Sequence, residues 1–328
     1  MKKTMKNVLV GSALAAGLFH SAHWQMTRYL VKVALDRELP FHLPGAEKRL
    51  SGTLPDPVAE ARLQAAGELL KAKPHETVQI SAHDGVRLIA HWFPKPGAKR
   101  VILAMHGWRS CWYHDFGLAA EFFFREDCSL LLPEQRGQGS SGGECMAFGL
   151  LERFDCVQWL SWLEANGWGN LPTYLFGISM GAATVLMAAG SRLPENVRGI
   201  IADCGYTSAG AVWKHVASQN LGLNYRRHRL IAETMFRKHL HMGLDSYSCP
   251  RALRRCSVPV LFIHGDADNF VPVEMTRVNF AACTAPKRLL IVPGAGHGMS
   301  FFRNETGYCK AITDFWEQWD NPPVGNQT

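Results

Sequence analysis

Residues 173–189 read TYLFGISMGAATVLMAA: a short apolar run, a serine flanked by glycines, and a stretch of small residues of helical character. TYLF has the length and aromatic content of a buried strand, and AATVLMAA contains no glycine or proline to stop a helix. A strand that turns directly into a helix forces the residue at the turn, Ser179, into a strained backbone conformation. Small neighbours such as Gly177 and Gly181 leave room for it. The hydroxyl is thereby presented at the end of the sheet, and the following helix aims its N-terminal amides at the same place. A bare G-x-S-x-G is common by chance, but this strand before it and helix after it favour a nucleophile over a simple turn.

Working outward, the same alternation continues on both sides. RVILAMHG, SLLLPEQ, VRGIIADC, VPVLFIHG and RLLIVPG are short apolar runs, with longer helical stretches near 112–125, 149–165, 273–282 and 305–319. This order predicts an α/β fold, a mostly parallel sheet with crossover helices. TVQIS and VRLIAHWF, joined by HDG, predict an antiparallel pair at its start. A polar, basic segment at about 206–254 interrupts the alternation and is expected to form a helical cap insert.

A serine hydroxyl is a poor nucleophile at neutral pH, so it needs a base within hydrogen-bond reach and a carboxylate to orient that base. His297, in PGAGHGMS after the last apolar run, is the expected base. Asp268, in HGDADNFVP after VPVLFIHG, is the expected acid, at the carboxyl end of a strand where such sheets keep their functional groups. Asp266 is the rival two residues earlier; the order Ser, Asp, His and the pattern H-G-x-x-D favour Asp268. An oxyanion hole needs two backbone donors, and the amides of Met180 and Trp108 are the candidates. His106 and Gly107 are read as holding the Trp108 loop in shape.

Composition narrows the classes of function. Of the 328 residues 47% are hydrophobic and 19% charged, which excludes a disordered chain. The formal net charge is +7, with an excess of basic residues concentrated at 224–255. No aromatic-interleaved basic stripe points to a nucleic-acid partner. The nine cysteines contain no C-x-x-C pair and are odd in number, so buried thiols are expected in place of a zinc site or disulfide framework. Cys204 is read as a small core residue, and His228, His239 and His241 lack partners at metal-ligand spacing. Neither a metal nor an organic cofactor is expected.

Lys2, Lys3 and Lys6 precede the apolar run VLVGSALAAGLF at 8–19, and no charge occurs from Asn7 through Thr27. This predicts a signal or anchor segment over 1–26, more in keeping with an uncleaved anchor because no A-x-A cleavage site follows. Residues 27–76 read as a helical extension broken at its prolines, linking anchor to enzyme. The main domain is expected over 77–320, with a polar tail at 321–328. The expected setting is the bacterial cell envelope, membrane-anchored or exported.

Six motifs carry a resemblance: HGW at 106–108, PEQRGQGSSGG at 133–143, GISMGAAT at 177–184, DCGYTS at 203–208, HGDADNFVP at 264–272 and GAGHG at 294–298. In this order they resemble the α/β-hydrolase superfamily, in particular its bacterial serine-aminopeptidase-like (S33-type) and BEM46-like members. The resemblance implies a capped α/β-hydrolase fold and acyl transfer through Ser179, Asp268 and His297 on a small-molecule acyl substrate. It also implies a structural RGQGSSGG loop in which Arg136 and Gly137 fix a turn, with Glu134 where many relatives have Asp. Carboxylic esters or thioesters are the expected targets. Amide or peptide cleavage and a noncatalytic, membrane-anchored binding role are the alternatives.

Overall fold

The computed structural model describes residues 21–39 and 56–320. Its eight strands are β1 (Glu76–Ser81), β2 (Arg87–Phe93), β3 (Arg100–Met105), β4 (Cys128–Glu134), β5 (Thr173–Ile178), β6 (Val197–Asp203), β7 (Val260–Gly265) and β8 (Lys287–Val292). They form one sheet in the order β1-β2-β4-β3-β5-β6-β7-β8. β2 pairs antiparallel with both β1 and β4, and every other pair is parallel. The expected mostly parallel α/β sheet is therefore the one that forms. Its central strands are mostly apolar because both faces are covered, and β3, β4 and β7 are buried at every residue. Edge strand β1 instead mixes exposed and half-buried positions.

Helices cover both faces. On one lie α3 (Trp112–Arg125), α10 (Ser300–Arg303) and α11 (Glu305–Trp319), packed around Phe116, Phe123, Phe176 and Trp316. On the other lie α4 (Glu152–Ala165), α5 (Met180–Ala188), α8 (Cys249–Leu253) and α9 (Val273–Ala282). The segment after β6 supplies α6 (Ala209–His215), which runs into a single π turn over Val216–Asn220, and α7 (Tyr225–Leu240). These two arch over the C-terminal ends of the strands, whereas α8 belongs to the core: Cys249, Ala252 and Leu253 are fully buried.

The residues before the sheet are more than a connection. A helix covering 21–35, α1, spaces Thr27, Val31, Ala34 and Leu35 along one buried face, the pattern of an amphipathic helix that docks. Helix α2 (Pro57–Ala72) starts at a proline that reads as a break. Pro57 occupies the first turn, where its missing N–H costs nothing, and Asp56 accepts the amides of Val58 and Ala59 at 3.0 and 3.2 Å. Among the described residues, no helix is long and apolar enough to cross a membrane. The anchor expected at 1–26 lies outside the described residues up to residue 20, and the tail at 321–328 lies outside them entirely.

Candidate active site

The turn between β5 and α5 puts Ser179 at φ 56° and ψ −115°, a conformation that costs a side-chain-bearing residue energy. The surroundings hold it there. The Ser179 amide donates to the Asp203 carbonyl at the end of β6 (2.9 Å), and the Ser179 carbonyl accepts from Ala183 (3.0 Å). A Cβ on Gly181 would sit 1.7 Å from the Met105 carbonyl oxygen, and one on Gly177 would sit 2.3 Å from the Gly181 carbonyl. No residue but glycine lets α5 start this close to β3.

Three loops at the same sheet edge bring the other side chains to Ser179. The loop after β8 places Nε2 of His297 2.8 Å from Oγ of Ser179. The loop after β7 places Oδ2 of Asp268 2.7 Å from Nδ1 of His297. A carboxylate can only accept, so the Nδ1 proton points to Asp268 and Nε2 is left to accept the serine hydroxyl proton. Asp268 is held from all sides: Oδ1 accepts the amides of Phe270 and Val271, both at 2.9 Å, and Oδ2 also receives His264 Nε2 at 3.1 Å. Burial alone would raise its pKa, but the His297 charge and the hydrogen bonds from both imidazoles outweigh burial and hold it well below the usual carboxylate range. For His297 burial would lower the pKa, and the adjacent Asp268 carboxylate reverses this and raises it well above the ordinary imidazole value. Asp266 does not reach the imidazole; its Oδ1 accepts the Gly294 amide at 2.6 Å and so shapes the loop that carries His297.

Trp108 follows β3 and lines the same cleft as Ser179, together with Arg109, Ser110, His114, Phe270 and His297. Met180 is the first residue of α5, directly after Ser179. The loop bearing Trp108 is fastened from two directions. His106 accepts the Gln135 amide on Nε2 (3.1 Å) and donates from Nδ1 to the Gly107 carbonyl (2.8 Å), a buried, neutral imidazole whose pKa burial lowers. Asp115, in the first turn of α3, accepts the Gly107 amide at 2.6 Å and the Ser110 hydroxyl.

The loop at 133–143 touches its neighbours, not the cleft. Arg136 is nearly fully buried and forks onto Asp155 with two bonds of 2.6 Å, reaching Asp84 at 2.8 Å. Glu134 pairs with His91 at 2.8 Å and accepts the Ser140 amide. Its longer side chain thus closes the turn behind Gly139.

Several residues that matter here carry roles that the sequence pattern does not assign, although His264 and Phe270 lie within HGDADNFVP. His264 and Asp115 support the acid and the Trp108 loop, and Phe270 packs edge-on against the His297 ring at 4.9 Å. Helix α1 is the largest omission. The Trp108 indole donates to the Ala34 carbonyl at 2.9 Å, and Arg109 donates to the carbonyls of Val33, Asp36 and Arg37. Two turns earlier Thr27 meets His228 of α7 at 2.6 Å. Asp115 in the first turn of a helix was a further local signal. The partners of α1 lie too far along the chain for any local pattern to show.

Among the described residues, one group has the composition of a metal site: Cys204, Asp268 and His297, with ligand atoms within 4.8 Å of one another. Both ring nitrogens of His297 already have partners in Ser179 and Asp268, and burial raises the Cys204 thiol to about 11, which keeps it protonated. The group is better suited to moving a proton than to holding a cation.

Comparison with known proteins bears on the family and the fold. The chain is 26% identical over 197 residues to the uncharacterized protein YqkD of Bacillus subtilis, covering 59% of this chain and 63% of that one. It is 26% identical over 249 residues to the uncharacterized protein YfhR of Escherichia coli K12, covering 73% and 80%. In three dimensions it resembles a Pyrococcus furiosus esterase, with a TM-score of 0.60 at 19% identity over 76% of this chain and 92% of that one. The sequence model of the alpha/beta hydrolase family matches residues 101–308, which hold the elbow, the acid and the histidine together with the strands that carry them, and the chain belongs to that family.

Proposed function

We propose that the protein is a serine hydrolase that cleaves carboxylic esters or thioesters of small acyl substrates. The observation that carries this reading is the unbroken chain from Ser179 Oγ through His297 to Asp268, at 2.8 and 2.7 Å, beside an open cleft. Ser179 attacks the acyl carbon as His297 takes its proton, and Asp268 stabilises the imidazolium that forms. The amides of Met180 and Trp108 are the proposed donors to the oxyanion. His297 then protonates the leaving alcohol or thiol, and a water activated by the same imidazole releases the acid. Attachment to the cell envelope through the apolar run at 8–19 is part of the proposal.

The test is labelling of the full chain with a fluorophosphonate probe beside Ser179→Ala, with turnover of p-nitrophenyl esters and of an aryl amide. Labelling that depends on Ser179, with ester turnover, is the expected result. Amide turnover exceeding ester turnover would move the reading to an amidase. A folded chain that neither labels nor turns over would mark a noncatalytic member of the family.

A further inference from the structure

A second opening adjoins the cleft that holds Ser179, and the two share Trp108 and Phe270 in their walls. Their chemistry differs. The cleft presents Arg109, Ser110, His114 and Asp115, whereas every side chain lining the second opening is hydrophobic. It is a narrow slot with a cavity volume of about 50 Å³. One wall comes from the arch over the sheet, with Val212 on α6 and Val216 and Leu221 at the π turn. The facing wall is α1, with Leu30, Val33 and Ala34.

That second wall is unexpected, because α1 lies outside residues 101–308, the span shared with the family. It is nevertheless tied to the rest of the domain by hydrogen bonds. The Trp108 indole holds Ala34 at 2.9 Å, Arg109 holds Val33 at 2.7 Å, and the Leu35 carbonyl accepts the Met146 amide at 2.8 Å. Val33 is buried, while Leu30, one turn earlier, is half-buried and faces the opening. Beside Ser179 lie two surfaces, the polar cleft and the apolar opening that joins it at Trp108 and Phe270. Hydrocarbon gains by entering the apolar one, about fourfold in affinity for each methylene buried. A polar leaving group loses nothing by staying in the cleft.

We propose that this second opening receives the acyl chain of the substrate and that α1, through Leu30 and Val33, sets the longest chain accepted. The inference rests on the serine-hydrolase reading above. The substrate class it names is an amphiphilic ester or thioester, with an unbranched apolar acyl group and a polar alcohol or thiol.

The experiment uses the full chain with p-nitrophenyl acetate, butyrate, octanoate and laurate. Its readout is the ratio of kcat/KM for each longer ester to that for acetate. Leu30→Trp is expected to lower the octanoate ratio about tenfold or more, and Leu30→Ala to raise the laurate ratio. Val216→Trp, on the facing wall, is expected to repeat the Leu30→Trp effect and serves if that variant fails to fold. Leu230→Trp, at an exposed site on α7, is the control whose ratios match the parent. Ratios unchanged in all pocket variants, with esters still cleaved, would overturn the pocket and leave the serine hydrolase standing. A folded parent that cleaves no ester and takes no label at Ser179 would overturn both.

Discussion

His264 stands directly behind Asp268: its Nε2 lies 3.1 Å from the same carboxylate oxygen that His297 uses. This second imidazole is itself fixed, by Thr276 on Nδ1 at 2.7 Å and by the Val271 carbonyl at 2.8 Å. The acid is therefore aimed from behind as well as charged. His264→Ala removes one donor and the packing that orients the carboxylate, and it is expected to lower kcat between about tenfold and a hundredfold with little change in KM. Steady-state kinetics on a short-chain ester measure it. A change confined to KM would show that His264 does not aim the acid.

Activity should follow the neutral form of His297. Because Asp268 raises the His297 pKa above the ordinary imidazole value, kcat/KM is expected to be full above that raised pKa and to fall as pH drops through it. Asp268→Asn removes the charge responsible. It is expected to move this limb to lower pH and to cost about 10⁴-fold in kcat through the wrong tautomer. A limb that stayed in place would mean that Asp268 does not set the imidazole's charge.

Asp203 makes a stability prediction of the opposite sign to that of most carboxylates. It is buried at the end of β6, accepts the Ser300 hydroxyl at 3.0 Å, and is raised to about 6, chiefly by burial. A folded-state pKa above the unfolded one means that the protonated acid is preferred. Its contribution is complete below pH ~4 and is lost as pH rises through about 6. Asp203→Asn keeps an acceptor for Ser300 and removes this loss. Relative to the parent, the variant is expected to gain about 3 kcal/mol between pH ~4 and neutral pH. Urea unfolding of both proteins across this range checks it.

Arg136 is expected to matter for folding more than for turnover. Removing it in Arg136→Ala leaves Asp155 buried without its partner and is expected to cost about 3–5 kcal/mol in stability. Below the lowered melting temperature, fluorophosphonate labelling should persist. Loss of labelling in a chain still folded would place Arg136 in the reaction instead.

The parallel sheet and the loops carrying Ser179, Asp268 and His297 were legible because each signal is local. A buried strand must be apolar throughout, and the residue just beyond it must accept a tight turn, so glycines cluster there. Supports acting across the fold leave no such trace. His264 opens the H-G-x-x-D pattern, but its support of Asp268 shows only once β7 is placed beside α9 and Thr276. Asp115 sits in the first turn of a helix, where carboxylates are common for electrostatic reasons alone. Helix α1 read as part of anchor and connection because its amphipathic face is short and its partners lie far along the chain: Trp108 and Arg109 more than 70 residues away, and Met146, Arg227 and His228 more than 100.

That separation bears on the order in which the molecule can form. Residues 21–39 are synthesised before the partners that hold them among the described residues: Trp108 and Arg109 after β3, Met146, and His228 of α7. Such long-range closure is slow compared with the local pairing of β1 and β2. The segment that walls the apolar pocket is thus made well before its partners and settles late, and the pocket becomes complete only when residues 21–39 meet chain made up to about 200 residues later.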